Sequence, residues 1–345
     1  MNRIQRIDGV KITGVSTVVP SQTRHFSEDY SLYGQAATDK LVASTGVENR
    51  HVADDNTCTS DLCLAAANRL LNTLDCSLDS IDMLIFLSQT PDHTLPATAC
   101  ILHGKLGLSK ACAAFDINLG CSGYTYGLWM ASNFIQNKAA NRVLLLAGDT
   151  ISKIVNPENR ATYPLFGDAG TATLLEADER EGTQPWMFAW GTDGTGAKNL
   201  IVEEGGFRSH ECISDAQYLS MDGGEIFAFT LAAVPALIQD LLDNAKWTIS
   251  DVNSIVLHQA NAFMLKHLAK RMKINEHQLP LSLSQYGNTS SASIPLTLCN
   301  LPYVDTPRNL ILAGFGVGYS WCGVSLTMDE RTTCLDVSLF KETDL

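Results

Sequence analysis

The chain has 345 residues, 45% of them hydrophobic and 18% charged, with a net charge of −13. That much apolar content fills either one large fold or two ordinary domains, and the acidic balance argues against a nucleic-acid partner, which needs a broad basic face to release counterions from phosphates. The longest apolar runs, MLIFL at 83–87 and VLLLAG at 143–148, are strand-length and far below the roughly 18 residues of a membrane helix. The N-terminus MNRIQRIDGVKITGV alternates like a strand and has no apolar stretch of signal-peptide type. The expected protein is cytoplasmic, with no membrane partner.

In chain order, TSDLCLAAANRLLNTL at 59–74 is predicted as a helix starting at Thr59 or Ser60, whose hydroxyl can cap its first free amides. LDSIDMLIFLSQT at 78–90 reads as a polar turn followed by a buried strand that ends in polar residues. Further along, SGYTYGLWMASNFIQN reads as a helix and NRVLLLAGD at 141–149 as another buried strand. Glycine and polar residues over 178–219, including WGTDGTGAKN, predict an irregular connection of loops or a hairpin. A second core begins near Ser220, continues in the helical pattern 225–245, and repeats the earlier motifs: ISDVNSIVLHQAN at 249–261 matches 78–90, and RNLILAGFG at 308–316 matches 141–149. The offsets, about 171 and 166 residues, agree closely enough to imply a duplicated α/β unit. Near-continuous apolar strands alternating with helices predict sheets covered by helices on both faces.

Ten cysteines are scattered through apolar contexts without C-x-x-C spacing, so reduced thiols are expected, with no disulfide framework and no metal or other cofactor. One of them, Cys121, lies between Gly120 and the small pair Ser122 and Gly123, ahead of a helix. Small neighbours leave room for a substrate, and the positive end of the helix dipole lowers a thiol's pKa, which enlarges the nucleophilic thiolate fraction. The same helix start offers free amides for an oxyanion, and the glycine loop GFGVG at 314–318 can bring a second one. Two other polar residues stand out: His258 at the end of a strand and Asn288 in YGNTSSAS. Each taken alone is equally well a structural residue: buried cysteine is common, histidine often ends a strand in a hydrogen bond, and asparagine after glycine is an ordinary turn residue.

FDINLGCSGYTYGL, FGDAGTATLLEA at 166–177, MDGGEIF at 221–227, HQAN at 258–261, GNTSSASIP at 287–295 and GFGVGYSWCG at 314–323 stand in the order and spacing of a known family. In them the chain resembles β-ketoacyl-acyl-carrier-protein synthase III of the thiolase superfamily. The resemblance implies an α/β thiolase-like fold of five layers, αβαβα, built from two duplicated halves, 1–177 and 220–345, joined through 178–219. It also implies a homodimer and a Cys121, His258, Asn288 triad. By the same carry-over, the backbone N–H groups of Cys121 and Val317 form the oxyanion hole, Phe227 contacts substrate, and Leu95 of the partner subunit closes the acyl pocket. The implied partners are an acyl-CoA or acyl-carrier thioester, a malonyl thioester and the carrier protein itself. Lys266, Lys270, Arg271 and Lys273, on one predicted helix, form the basic surface for that acidic carrier.

Several positions depart from the family pattern. Val317 replaces a usual Gly, Leu95 a common Phe, Ala228 a Lys, and Phe263 a carrier-docking Arg. Lys40 and Ser44 stand where the family has the Trp and Arg that grip the adenine of coenzyme A. The implied reaction is decarboxylative condensation, in a specialised pathway or in fatty acid synthesis. Two alternatives stay open: transfer of a Cys121-bound acyl group to a hydroxyl, an amine or another carbon nucleophile, and a non-catalytic partner subunit. Degradative thiolase is disfavoured because the chain has NLILA, not a reactive Cys, just before its C-terminal glycine loop.

Overall fold

The computed structural model describes residues 2–210 and 212–344. The strands Met83–Leu87 and Arg142–Asp149 are aliphatic almost throughout and buried nearly end to end, as strands covered on both faces must be. They lie parallel, Met83 opposite Val143. Antiparallel strands Ala169–Ala177 and then Val10–Val19 follow on one side, and Ala113–Ile117 forms the parallel edge on the other.

The second sheet repeats these relations. Ser254–Leu257 is parallel to Arg308–Gly316, which is followed by antiparallel Ser320–Met328 and then Trp186–Thr192. Helix Thr59–Thr73 covers the outer face of the first sheet, and helix Gly223–Ala245 that of the second. Helices Gly123–Gln136 and Ser293–Cys299 fill the space between the sheets. The result is five layers, αβαβα. The central core between the sheets joins Ile85, Leu87, Tyr124, Leu128, Leu145, Val256, Leu298 and Leu312, so neither half buries its inner face without the other.

Particular expectations change. Helix 59–73 starts at Thr59, but its cap is Cys58, whose N–H donates to Asp61 Oδ2 at 2.9 Å. The Thr59 hydroxyl turns inward instead, to Thr90 at 2.7 Å and Thr150 at 3.1 Å. Within 178–219, strand Trp186–Thr192 is a full member of the second sheet. The residues on either side of it are irregular apart from short 3-10 turns and the Leu200–Ile201 pairing with Ser220–Met221. The chain ends also exchange halves: Arg3–Ile7 is the edge of the second sheet, while Thr333–Cys334 and Ser338–Leu339 pair with Val10–Val19 in the first. Helix Gly223–Ala245 is long and apolar enough to cross a membrane. Here it lies against the second sheet with Val234, Leu237, Ile238 and Leu241 buried.

Candidate active site

In a sheet with parallel strands, ligands bind beyond the carboxyl ends, where loops diverge. Both sheets present those ends to one cavity of about 620 Å³, lined by Cys121, His258 and Asn288 together with Phe315, Gly316 and Val317. A wider depression of about 890 Å³ lies at the amino ends of the strands, among Lys11, Arg142, Glu176, Arg180 and Asp329. Its charges are already paired with one another, as in Arg142 with Glu176 and Arg180 with Asp178 and Asp329.

Of the three expected residues, Cys121 and Asn288 are braced across the two halves, and His258 is held within the second. Cys121 stands in the turn before helix Gly123–Gln136. That helix is tied to the second sheet by the Ser122 and Ser320 hydroxyls at 2.7 Å and by Thr125 Oγ1 donating to the Cys322 carbonyl at 2.8 Å. Gly316 has φ +156°, and a Cβ there would lie 2.6 Å from Cys121 Cβ and 3.0 Å from its Sγ. Only a glycine lets the end of the strand approach the thiol so closely. His258 ends strand Ser254–Leu257, its N–H donating to the Ala313 carbonyl at 2.8 Å. Its Nδ1 is 2.8 Å from the Ser293 hydroxyl, and its ring stands edge-on to Phe315 at 5.7 Å.

Asn288 is 4% exposed. Its backbone pairs with the first half, donating to Leu165 O at 2.9 Å and accepting from Gly167 N–H at 3.1 Å. Its Oδ1 accepts the Ser290 N–H at 2.9 Å. With Oδ1 so occupied, Nδ2 is the side-chain group left to donate, and its one bond is a long 3.4 Å contact to Ala260 O.

Burial dominates the electrostatics. It pushes the Cys121 thiol up to about 11, while the backbone amides of Val317 and Cys121 pull it down by donating to sulfur. The lowered thiol expected from the helix dipole is therefore corrected: removal from water outweighs the donors in the unacylated protein. The amides that lower the thiol are those of the two residues expected at the oxyanion hole. Burial also lowers His258 to about 4, against a smaller opposing pull from the Ser290 carbonyl. Thiol and imidazole are both neutral at neutral pH.

The remaining expected residues are divided. Phe227 is absent from the cavity wall: on helix Gly223–Ala245, Ile226 and Thr230, one turn apart, face the cavity. Phe227 turns away to pack with Phe263 at 5.5 Å and His267 at 5.6 Å. Leu95 is 78% exposed in the single chain. Lys40 and Ser44 lie on the outer face of helix Gln35–Thr45. Lys266, Lys270 and Arg271 are exposed on helix Ala262–Met272, and none has an ion pair among the described residues. Lys273 lies beyond that helix, ending it with φ +57°.

Sequence reading missed Asp149. It is fully buried, and its Oδ1 accepts from Gln89 N–H at 2.7 Å and Ser88 Oγ at 3.1 Å. Its Oδ2 accepts from Ser291 Oγ at 2.7 Å and Ser291 N–H at 3.2 Å. This carboxylate fastens the Asn288 loop to the first half. The available signal was a carboxylate closing an otherwise apolar strand, since such a group is buried and must find donors. Asp168, pushed up to about 6 by burial, similarly ties the FGDAG turn to the amides of Ala53 and Ser152, at 2.7 and 2.9 Å.

Comparison with known proteins agrees with this architecture. Residues 115–194 match the family model for 3-oxoacyl-[acyl-carrier-protein (ACP)] synthase III, and residues 242–328 match the model of its C-terminal part. The β-ketoacyl-[acyl-carrier-protein] synthase III of Neisseria gonorrhoeae is 33% identical, over 92% of this chain and 98% of its own. That of Rhodopirellula baltica is 33% identical, over 91% and 97%. The crystal structure of a 3-oxoacyl-(acyl-carrier protein) synthase from Burkholderia xenovorans superposes with a TM-score of 0.95 at 43% identity, covering 98% of this chain and 99% of the other. The fold, the convergence of the two halves on one cavity and these full-length likenesses place the chain in the β-ketoacyl-acyl-carrier-protein synthase III family of the thiolase superfamily, a family of acyl-transferring condensing enzymes.

Proposed function

We propose that the chain catalyses a decarboxylative Claisen condensation in two steps. Cys121 attacks the carbonyl of an acyl thioester, the donor's thiol leaves, and the acyl group stays on sulfur. The amides of Cys121 and Val317, whose pull on the thiol places them beside the sulfur, hold the oxyanion of the tetrahedral intermediate. A malonyl thioester then loses carbon dioxide, and the resulting enolate carbon attacks the Cys121 thioester. A β-ketoacyl thioester forms and the Cys121 thiolate is released.

His258 and Asn288 stabilise the enolate. The orientation of Asn288 carries this reading: with Oδ1 engaged by Ser290 N–H, its Nδ2 is a fixed donor at the cavity wall. In the tautomer where the Ser293 hydroxyl donates to Nδ1, His258 Nε2 is a second donor. Two fixed neutral donors fit a charge that appears only during reaction. Transfer to a hydroxyl or an amine generates no enolate and has no use for the pair.

The acidic carrier protein docks on Lys266, Lys270, Arg271 and Lys273. A homodimer forms along the unpaired edge strand Ala113–Ile117, bringing Leu95 of the partner subunit to the acyl pocket. The test is intact-mass analysis of wild type and Cys121→Ala after exposure to a panel of acyl-CoA and acyl-carrier thioesters, followed by malonyl-CoA or malonyl-carrier protein. The expected result is an adduct on wild type alone, discharged with release of carbon dioxide. A persistent adduct without carbon dioxide would favour transfer to another nucleophile.

A further inference from the structure

Several polar side chains on the cavity wall are already engaged. Glu204 accepts from Ser214 and from the Ile213 amide, Asn261 caps helix Ala262–Met272, and His258 and Asn288 are held as described. Two are not. The Gln89 side chain makes no hydrogen bond among the described residues, although its backbone N–H is fixed on Asp149. The Thr230 hydroxyl is fully buried and has no partner among the described residues. Both residues line the cavity that holds Cys121, amid aliphatic neighbours such as Ile151, Leu165 and Met264.

Gln89 is seated beside the nucleophile. A Cβ on Gly120 would lie 2.2 Å from Gln89 Oε1 and 3.2 Å from Ser290 Oγ, so the carboxamide rests in a space that only glycine at 120 leaves open. A plain alkyl chain in this space strands a donor and an acceptor away from water, which disfavours it. A chain bearing a hydroxyl or oxo group satisfies them. A site built to hydrogen-bond its substrate discriminates strongly against the analogue lacking that group.

We propose that the acyl groups this enzyme accepts carry a hydrogen-bonding oxygen near the thioester, a hydroxyl or an oxo substituent, read by Gln89 with Thr230 as a second polar contact. This rests on acyl loading at Cys121. Loading rates are measured by intact mass with butanoyl, 3-hydroxybutanoyl and 3-oxobutanoyl thioesters, each as CoA and as carrier-protein conjugate, on wild type, Gln89→Met and Thr230→Val. Wild type is expected to load at least one oxygenated chain about tenfold faster than butanoyl, the preferred one telling hydroxyl from oxo. Gln89→Met is expected to reduce that ratio about tenfold and Thr230→Val to reduce it less. A variant that merely disturbs the fold slows all three chains alike and leaves the ratio unchanged, which would overturn the role of Gln89. Butanoyl loaded by wild type as fast as the oxygenated chains overturns the proposal and leaves Cys121 loading intact. No adduct from any chain overturns both.

Discussion

In the first half, strand Met83–Leu87 runs into Ser88 and Gln89, whose hydroxyl and amide turn onto the buried carboxylate of Asp149. In the second half, the matching strand Ser254–Leu257 runs into His258, whose ring faces the cavity. Ahead of the inner helix of each half stands another residue of the cavity wall, Cys121 in the first and Asn288 in the second. The neighbouring strand ends in Asp149 on one side and Gly316 on the other. One backbone plan thus delivers a nucleophile and a structural carboxylate from one half, and donors and a close-approaching amide from the other. The difference shows that the fold supplies position alone, and that the side chains at equivalent strand ends divide the labour.

The sharpest way to break this division is to remove the donors of the second half. His258→Ala and Asn288→Ala are each expected to slow carbon dioxide release from the malonyl thioester about 10²- to 10³-fold, while intact mass still shows acylated Cys121. Equal loss of both steps would mean that the halves do not divide the reaction. Next in size is Asp149→Ala, which leaves the Ser88, Gln89 and Ser291 donors without their acceptor. It is expected to lower the unfolding free energy by about 3 kcal/mol, read by urea denaturation.

The thiol supplies a pH test. Because burial raises Cys121 to about 11, its thiolate fraction grows as pH rises, by about tenfold per unit until that value. Loading rates are expected to climb between pH 6 and 9 without a plateau, with His258, lowered to about 4, staying neutral throughout. A plateau near pH 7 would show that bound substrate restores the low thiol expected from the helix dipole. The smallest effect lies on the rim. Lys270→Glu with Arg271→Glu is expected to raise KM about fivefold for carrier-bound malonyl thioester and to leave the CoA form unchanged, the difference fading in high salt.

Phe227 shows where motif reading stops. Its position in MDGGEIF was legible, but its direction depends on the helix phase, and the phase that buries Val234, Leu237 and Leu241 on the second sheet puts Ile226 and Thr230 on the cavity side. Gln89 and Asp149 carried no family signature, and their importance emerges from what lies beside them. The strand Trp186–Thr192 was missed for a related reason. Glycine and polar residues follow it closely, and its pairing partners, Arg3–Ile7 and Ser320–Met328, lie far away in sequence.

The amino-acid sequence by itself determined the repeated strands, the duplication and the motifs around Cys121, His258 and Asn288, because each is a local pattern of apolar runs, turns and spacing. Only the tertiary structure decided the balance of charge at the site. The thiol rises and the imidazole falls because packing of the two halves around the cavity strips away much of their hydration, a property that no local stretch contains.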